Sequence, residues 1–242
     1  MSERLAVFAS GSGTNLQALI DHFEDNDAVE VALVISDKAE CGAMERAKSA
    51  GIPNHHIPVQ TRPIAAVSAD TIDALESARA DVVALAGYLR LVPPDVVRRF
   101  HYRILNIHPA LLPSFGGKGM YGGRVHEAVL EAGCRITGPT VHFVDERYDN
   151  GRIVAQWPVP VLDDDTPETL AKRVLRVEHV LYPAAVEWLG RVLAAAEGDD
   201  AAAVRDAMPL PVSDDICFCL NEGTDPDRRG IRRLFGLDER EV

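Results

Sequence analysis

The sequence predicts a doubly wound α/β domain, in which helices cover both faces of a mostly parallel sheet, and three observations predict it. Strand-like and helix-like patterns alternate from residue 4 to residue 107, the rhythm of consecutive β-α-β units. The stretch DVVALAG at 81–87 is apolar almost throughout, as expected of a strand that is covered on both faces. After residue 135 two further strand patterns follow each other closely, so they should pair antiparallel and make the sheet mixed.

The parallel part of the sheet is predicted to hold five strands and four helices. Short apolar runs indicate the strands, at 4–9, 29–35, 55–58, 81–87 and 103–107. Apolar residues at helical spacing indicate the connecting helices, at 15–23, 41–51, 68–80 and 93–100. Ser68 should cap the start of the third helix, Gly51 should end the second, and a proline stands at the head of the fourth.

The chain changes character after residue 135. The stretches 137–145 and 151–161 have the pattern of strands, joined by a turn-like YDNG. The stretch 166–196 has the pattern of one long helical region, interrupted at Pro183. His142 lies on the opposite face of its strand from the apolar residues beside it. We expect it to be a core or surface residue with no role in a site.

Residues 198–242 are predicted to form a C-terminal appendage to a domain that spans 1–197. The appendage begins as an acidic, loop-like stretch and shows no clean periodicity. It still holds scattered apolar side chains, at Ile216, Phe218, Leu220, Ile231, Leu234 and Phe235. We therefore expect it to pack on the surface of the domain or on a partner subunit, rather than to be wholly disordered.

Composition and charge narrow the class of protein. The chain has 242 residues, of which 47% are hydrophobic and 26% are charged, as in an ordinary globular protein. Its net charge of −12 argues against nucleic acid or an anionic membrane as a partner. No apolar run approaches a membrane span, and the N-terminus lacks the apolar core of a signal peptide. Four scattered cysteines without a CxxC pair predict a reducing, cytoplasmic setting, namely Cys41, Cys134, Cys217 and Cys219.

A glycine-rich turn, SGSGTNLQAL at 10–19, follows the first strand and opens the first helix. Small residues let the backbone approach a ligand closely, and the first N–H groups of a helix favour an anion, so the turn indicates a phosphate site. Its glycines fit the start of the dinucleotide fingerprint, but Leu16 occupies the position of the third glycine. Asp37, after the second strand, keeps a dinucleotide site open as an alternative, and a tight turn without a ligand is another.

Asn106 and His108 end the fifth strand, in ILNIHPALLPSF. Alternate residues of a strand share a face, and sheets of this kind bind ligands beyond the carboxyl ends of their strands. An amide N–H beside an imidazole can stabilise a developing oxyanion, and the imidazole can also move a proton. The pair therefore indicates a catalytic site, with a purely structural histidine as the alternative.

Two further residues have both a site interpretation and a structural one. Arg90 lies in the apolar segment AGYLRLVPP after the fourth strand, where it could contact an acidic ligand or pack its stem on the neighbouring leucines. Asp149 could favour the imidazolium form of a nearby histidine, or it could serve the turn that Asp-Asn-Gly typically forms. The spacing of the histidines and cysteines predicts no metal site.

Six segments of the chain, taken together and in order, indicate a protein family far more specifically than any one of them does alone. They are SGSGTNLQAL, SDKAECGAMERAKSAGIP, VVALAGYLRLVP, ILNIHPALLPSF, TVHFVDERYDNGRIVAQ and RVEHVLYP. In this combination the chain resembles the phosphoribosylglycinamide formyltransferase family. The resemblance implies a Rossmann-like formyltransferase fold, with a mixed, mostly parallel sheet flanked by helices. It also implies formyl transfer from 10-formyltetrahydrofolate to the amine of 5'-phosphoribosylglycinamide in purine biosynthesis, by direct attack through a tetrahedral intermediate and without a metal.

The resemblance also assigns site residues and partners. It implies a catalytic trio, in which Asp149 would keep His108 protonated and Asn106 would help to hold the oxyanion. It implies a site for the phosphoribosyl group, formed by Gly13, Thr14, Asn15 and Glu178. It implies a folate site, formed by Leu89, Arg90, Leu91, Val92, Asn106 and Asp145. The partners would be these small molecules, and the family also allows a homodimer.

Three parts of the chain depart from the family pattern. The stretch GGKGMYGGRVHEAVL at 116–130 is longer and richer in glycine than expected, although its Lys118 and Arg124 could still face a phosphate. An arginine for the glutamate tail of folate has no secure match, Arg62 being a weak candidate. Residues 198–242 lie outside the resemblance.

Related activities are the main alternatives. Formyltetrahydrofolate deformylase has a similar core but hydrolyses the formyl group, and it usually carries a regulatory domain before a core that here starts at residue 4. Methionyl-tRNA formyltransferase adds an RNA-binding domain, which an acidic tail matches poorly because tRNA affinity depends on neutralising phosphates. A non-catalytic nucleotide-binding module would explain the glycine-rich turn but not the trio.

Overall fold

The computed structural model describes residues 2–196, 200–208, 228–235 and 237. Within these residues the strands are β1 (Glu3–Phe8), β2 (Val29–Ser36), β3 (Asn54–His56), β4 (Val82–Leu85), β5 (Ile104–His108), β6 (Ile136–Thr137), β7 (Thr140–Phe143), β8 (Ile153–Gln156) and β9 (Val159–Pro160). The helices are α1 (Thr14–Phe23), α2 (Gly42–Ser49), α3 (Ile64–Ser77), α4 (Pro94–Arg99), α5 (Gly123–Glu131), α6 (Pro167–Ala195), α7 (Asp200–Asp206) and α8 (Arg228–Leu234). Among the described helices, none has the length and apolar character needed to cross a membrane.

The main sheet has the strand order β3-β2-β1-β4-β5-β7-β8. Strands β1 to β5 run parallel to one another, whereas β7 pairs antiparallel with β5, and β8 antiparallel with β7. Strands β6 and β9 form a separate antiparallel ribbon. The predicted mixed, mostly parallel sheet is therefore confirmed, and so is its change of direction after residue 135.

Helices cover both faces of this sheet. On one face the side chains of α1, α2, α5 and α6 share a core with alternate residues of the strands. On the other face α3 and α4 form a second core with the remaining alternate residues. All four residues of β4 are buried as a result, which explains why its sequence is apolar without alternation.

The third helix begins earlier than the sequence predicts. Helix α3 starts at Ile64 with Pro63 before it, so Ser68 lies inside the helix and the predicted cap at Ser68 is wrong. The Ser68 side chain is buried, and its hydroxyl donates a hydrogen bond to the carboxylate of Asp95, on α4, at 3.3 Å. Ser68, which resembled a capping residue in the sequence, therefore joins two helices. At the true start of α3, Pro63 has a φ of −57°, the value that its ring favours.

Each of the two predicted late strands breaks at a proline. The stretch 137–145 divides into β6 and β7 at Pro139, and 151–161 divides into β8 and β9 near Pro158. Proline has no N–H to donate to a sheet. The backbone N–H of Trp157 instead donates to the carbonyl of Pro139 at 3.2 Å. The segments on the far side of each proline, β6 and β9, thus leave the main sheet and pair with each other.

Helix α6 is continuous, so the predicted interruption at Pro183 is wrong. Its first turn is fixed by a capping box between Thr166 and Thr169. Burial of the residues around Pro183 holds the helix together where the proline removes one backbone hydrogen bond. The hydroxyl of Tyr182 lies 3.0 Å from the carbonyl oxygens of Leu85 and Leu105. These contacts fix the first half of the helix beside the ends of β4 and β5.

Two helices of the appendage pack on the second half of α6. The indole N–H of Trp188 donates to the carbonyl of Ala207 at 3.2 Å, just beyond α7. Ile231, on α8, is fully buried, and Arg232 beside it lies 3.3 Å from the carboxylate of Glu187. A domain boundary at residue 197 stays a prediction. Several residues that were singled out above lie outside the described ones, namely Ile216, Phe218, Leu220, Cys217 and Cys219.

Candidate active site

A cavity of about 860 Å³ opens at the carboxyl ends of the parallel strands, where ligands of such sheets bind. Its walls include Asn15 at the start of α1, the segment after β4, the glycine-rich loop before α5 and the first half of α6. Of the residues that the sequence assigned to a site, those that line the cavity are Asn15, Leu89, Arg90, Asn106, His108, Asp149 and Glu178. The structure therefore brings the predicted catalytic trio and parts of both predicted substrate sites into one space.

The trio is assembled from two segments. Asn106 and His108 are alternate residues at the end of β5, and Asp149 reaches them from the loop between β7 and β8. The Asp149 carboxylate lies 3.6 Å from Nδ1 of His108 and 3.5 Å from Nδ2 of Asn106. Asp149 has a φ of 51°, as an Asp-Asn-Gly turn favours. Its turn role and its site role are thus compatible.

The surroundings of His108 act on its protonation in opposite directions, and the expectation of a protonated ring stays a prediction. Burial lowers the pKa of His108 below its ordinary value, and this effect outweighs the nearby Asp149 carboxylate and the carbonyl of Phe115, which raise it. The ring nitrogen Nε2 lies 2.9 Å from the carbonyl oxygen of Phe115, which can only accept a hydrogen bond. Nε2 therefore carries a proton, and the other ring nitrogen, Nδ1, faces Asp149. Whenever the ring is neutral, Nδ1 is its basic nitrogen.

Asp149 is held as a carboxylate by its neighbours. Burial alone would raise its pKa, but the His142 ring, the charge of His108 and the backbone N–H of Gly117 together lower it below the ordinary value. The Gly117 N–H donates to Oδ2 of Asp149 at 2.8 Å. The site thus combines an imidazole whose pKa is lowered with a carboxylate whose pKa is lowered, so that the imidazole, when neutral, can accept a proton.

His142 belongs to the site, contrary to the expectation that it has no role there. It is paired with Asn106 across β5 and β7, and its side chain is buried. Its Nδ1 lies 2.8 Å from the carbonyl oxygen of Phe143, so Nδ1 carries the proton and Nε2 accepts from the Asn106 amide at 3.0 Å. This contact orients the Asn106 N–H groups. The register between β5 and β7 places His142 beside Asn106, which the alternation of residues along β7 alone does not show.

The turn before α1 and helix α6 form the end of the cavity predicted to bind the phosphoribosyl group. The Asn15 amide donates to the carboxylate of Glu178 at 2.7 Å. Burial raises the pKa of Glu178 to about 7, although this hydrogen bond acts in the opposite direction. Gly13 precedes α1 with a φ of 73°, and Thr14 is the first residue of the helix. The roles of these residues toward a ligand stay predictions.

The opposite end of the cavity is formed by the segment after β4. The Leu89 N–H donates to the hydroxyl of Ser10 at 3.1 Å. Arg90 donates through Nε to the carboxylate of Asp37 at 2.7 Å. The amide oxygen of Gln60, when it faces this arginine, accepts from its terminal nitrogen at 2.6 Å. Asp37 is thus buried in an ion pair, which does not suit the ribose contact that a dinucleotide would require.

The other residues of the predicted folate site have structural contacts. Val92 is buried in the core beneath α4, and Leu91 is partly buried. The Asp145 carboxylate accepts from the backbone N–H of Arg147 and from the Asn150 amide, each at 2.8 Å. Asp145 therefore shapes the loop that presents Asp149. Their contacts with folate stay predictions.

Two remaining expectations from the sequence concern Arg62 and a metal site. Arg62, the weak candidate for the folate glutamate, lies 2.6 Å from the carboxylate of Asp70. In the described part of the chain, no group of three histidine, cysteine, aspartate or glutamate side chains is arranged to hold a metal ion.

Known proteins share this fold and these segments. The family model described as formyl transferase matches residues 3–186. A phosphoribosylglycinamide formyltransferase of Arabidopsis thaliana is 50% identical over 193 residues, which are 78% of this chain and 65% of that protein. The enzyme of that name from Haemophilus influenzae is 38% identical over 77% of this chain and 86% of its own. The chain thus spans less than two thirds of the plant relative.

Solved structures give the same comparison in three dimensions. A phosphoribosylglycinamide formyltransferase from Bacillus halodurans has a TM-score of 0.73 and 40% identity, and the match covers 81% of this chain and 97% of that one. A formyltetrahydrofolate deformylase from Pseudomonas syringae has a TM-score of 0.63 and 26% identity, over 76% of this chain and 62% of its own. The similarity is therefore greater to the transferase structure than to the deformylase.

Proposed function

Because the chain belongs to the formyl transferase family, we propose that it transfers the formyl group of 10-formyltetrahydrofolate to the amine of 5'-phosphoribosylglycinamide, a step of purine biosynthesis. The observation that carries the proposal is the convergence of Asn106, His108 and Asp149 in one cavity. The names of the relatives support the acceptor and the transfer of a formyl group, and the resemblance to the family implies the folate donor.

The acceptor would bind with its phosphate at the start of α1. Gly13 is the N-cap of α1, and Thr14 and Asn15 are its first two residues. Because the first N–H groups of a helix have no partner within the helix, an anion is favoured there. Glu178, held by Asn15, would accept hydrogen bonds from the ribose hydroxyls. Its burial makes the free carboxylate costly, and hydroxyl donors offset that cost. The amine would then extend toward the trio.

The folate would occupy the end formed by the segment after β4. Leu89 is partly exposed there, and Tyr148, from the loop that carries Asp149, lines the same cavity. Aromatic and aliphatic side chains with nearby backbone polar groups are typical walls for a flat ring system. The formyl group would lie where this end of the cavity meets Asn106.

Bond formation begins when the free amine attacks the formyl carbon. The carbonyl oxygen takes up the electron pair and becomes the oxyanion of a tetrahedral intermediate, to which Asn106 donates an N–H group. His142 orients that amide, so the donor is in place before the charge develops. A donor fixed in advance contributes more than one that must reorganise during the reaction.

Proton transfer completes the reaction. The attacking nitrogen becomes positively charged, and the neutral His108 accepts one of its protons at Nδ1. The imidazolium formed is stabilised by Asp149, 3.6 Å away. It returns the proton to the departing folate nitrogen as the bond from carbon to that nitrogen breaks and the carbonyl reforms. The products are the formylated acceptor and tetrahydrofolate.

Deformylation, in which water replaces the amine, is the competing reaction. The solved deformylase structure is 26% identical to this chain, whereas the transferase structure is 40% identical. An assay of the purified protein with 10-formyltetrahydrofolate separates the two activities. We expect formyl transfer only when 5'-phosphoribosylglycinamide is present, without release of formate. Formate release without the acceptor would contradict the proposal and favour the deformylase, and inactivity with bound nucleotide would favour the non-catalytic module.

A further inference from the structure

The glycine-rich loop at residues 115–122 has no part in the reaction as derived above. It contains FGGKGMYG and leads directly into α5. Gly117 has a φ of 96°, a conformation that favours glycine. Most of the loop lines the cavity, on the wall that adjoins the catalytic pair.

The loop backbone contacts both members of that pair. The carbonyl of Phe115 accepts from Nε2 of His108 at 2.9 Å. The N–H of Gly117, only two residues later, donates to the Asp149 carboxylate at 2.8 Å. The conformation of three consecutive residues therefore fixes the imidazole relative to the carboxylate. A change in this short backbone would move the base away from the charge that stabilises its protonated form.

The loop and the start of α5 also place two unpaired cations at the cavity. Lys118 follows Gly117, and Arg124 is the second residue of α5, just after the loop; both are exposed and both line the cavity. Within the residues that the structure describes, no carboxylate lies within 4.0 Å of Lys118, of Arg124 or of Lys172 on the facing helix α6. In a chain with a net charge of −12, unpaired cations around one cavity indicate a binding site for an anion.

Arg124 is held in a geometry suited to an oxyanion. Its guanidinium lies over the ring of Tyr121, 5.2 Å from the ring centroid. A cation over a ring face is attracted to the ring without hydrogen bonds, so the N–H groups of Arg124 can still donate in pairs to phosphate oxygens. Lys118, on a flexible stem, supplies a second positive charge beside it.

We propose that the loop and the start of α5 bind the phosphate of the acceptor through Lys118 and Arg124 and thereby hold His108 and Asp149 in their catalytic positions. The inference rests on the proposed function, in which the acceptor is a phosphate monoester seated at the start of α1. Such a group carries nearly two negative charges at neutral pH. Its contact with Lys118 orders the adjacent Gly117, whose N–H holds the Asp149 carboxylate. Occupancy of the phosphate site and alignment of the catalytic pair are then coupled.

A binding experiment tests the anion contact without any formyl transfer. Ribose 5-phosphate is titrated by calorimetry into the wild-type protein, Lys118→Met, Arg124→Met and the double variant. We expect each single change to raise the Kd about tenfold, as loss of a charge-assisted hydrogen bond does. Lys48→Met, an exposed lysine on α2 outside the cavity, should bind as the wild type does. Wild-type affinity in the double variant, or no binding by the wild type, would overturn the proposal.

A kinetic experiment tests the coupling. With both substrates saturating, Lys118→Met should lower kcat by about 10- to 100-fold, because small displacements of catalytic groups have effects of that size. The KM for the folate should stay within about twofold, and Lys118→Arg should restore most of kcat, because it keeps a cation beside Gly117. Lys172→Met, which changes the facing helix and not the loop, should act chiefly on the KM for the ribonucleotide. An unchanged kcat in Lys118→Met would overturn the coupling.

The two experiments also separate this inference from the proposed function. If the wild type binds ribose 5-phosphate through Lys118 but transfers no formyl group, the proposed activity is wrong and the anion site stands. If it transfers the formyl group while the double variant binds ribose 5-phosphate normally, the activity stands and the role of the loop is wrong.

Discussion

In the proposed mechanism, single residues of the site divide proton transfer between a base and a fixed charge. His108 has a lowered pKa and can accept a proton, whereas Asp149 has a lowered pKa and stays ionised. The same burial that disfavours a resting imidazolium makes its stabilisation by Asp149 stronger once it forms, because the surroundings screen the pair weakly. The chemistry therefore depends on the separation of these two side chains.

Replacement of Asp149 by asparagine tests this division. Asp149→Asn removes the charge and keeps nearly the same shape, so we expect a folded protein with kcat reduced by about 10²- to 10⁴-fold. Asp163→Asn, an exposed aspartate paired with Arg135, serves as a control and should keep full turnover. The measurements are steady-state kinetics and circular dichroism. Near-normal turnover in a folded Asp149→Asn protein would count against the mechanism.

His142 offers a second test at the residue scale. His142→Phe removes the acceptor that orients the Asn106 amide while keeping a flat, buried ring. We expect kcat to fall by about 10- to 100-fold, with both KM values little changed, because neither substrate is bound by this residue. His142→Gln, which restores an acceptor oxygen, should recover part of the loss. A rise in KM without loss of kcat would show that His142 serves binding instead.

Glu178 gives stability a dependence on pH. Its pKa is raised from 4.5 to about 7 by burial, so its contribution to stability is fully present below pH 4.5 and is lost as the pH rises through about 7. The loss amounts to about 3 kcal/mol at most for a shift of this size. In Glu178→Gln the free energy of unfolding should therefore vary less between pH 4.5 and 8 than in the wild type. Denaturant titrations at several pH values measure this difference.

Glu187, on the same helix, is the matched control for that experiment. Burial would raise its pKa, but contacts with His22, Arg191 and Arg232 outweigh burial and lower it to about 2. Its stabilising contribution is present above pH 4.5 and is lost as the pH falls toward 2. Glu187→Gln should therefore destabilise the protein at neutral pH, where Glu178→Gln should not. Equal pH profiles in the two variants would contradict both assignments.

At the scale of elements, the turn before α1 is fixed by its contact with α2. Gly13 has a φ of 73°, and a Cβ added there would lie 2.6 Å from the Cα of Ala43. We expect Gly13→Ala to lower stability by about 2 kcal/mol or more, because the backbone conformation and the helix contact both oppose a side chain. It should also raise the KM for the ribonucleotide more than the KM for the folate.

The neighbouring Gly11 is the control for this element. A Cβ there would meet no atom within 4 Å, and its φ is outside the left-handed range. Gly11→Ala should accordingly leave the melting temperature within about 2 °C of the wild type. If Gly13→Ala and Gly11→Ala have the same melting temperature, the tight contact between the turn and α2 is not needed for the turn.

The elements also show which parts of the fold can be predicted from sequence. The bounds of buried parallel strands such as β4 are predicted to within about two residues, because short apolar runs are typical of strands covered on both faces. The breaks at Pro139 and Pro158 depend on where two distant strands pair, and the continuity of α6 through Pro183 depends on burial by the rest of the protein. In the site, Asn106 and His108 share one strand and are predicted together. His142 is missed because its partner is set by the register between β5 and β7.

At the scale of the whole molecule, we expect the appendage to contribute to stability and not to chemistry. Its described helices contact Trp188 and Glu187, in the second half of α6, whereas Glu178 lies in the first half. A chain that ends at Glu197 should therefore melt about 5 °C lower or more while keeping kcat. Thermal melting, size-exclusion chromatography and steady-state kinetics check this expectation. A truncated protein that stays folded but loses catalysis would place the appendage in the active site.

The hydrogen bond between Asn15 and Glu178 has a consequence for synthesis of the chain. It joins residues 163 positions apart, and the cavity between them also needs side chains from β5 and from the loop before β8. A nascent chain cannot complete the cavity until most of α6 has left the ribosome, so early folding intermediates would lack the acceptor site. Native pairings of such long sequence separation form slowly. Recovery of activity on refolding should therefore report the last stage of folding, after most of the helix content has returned.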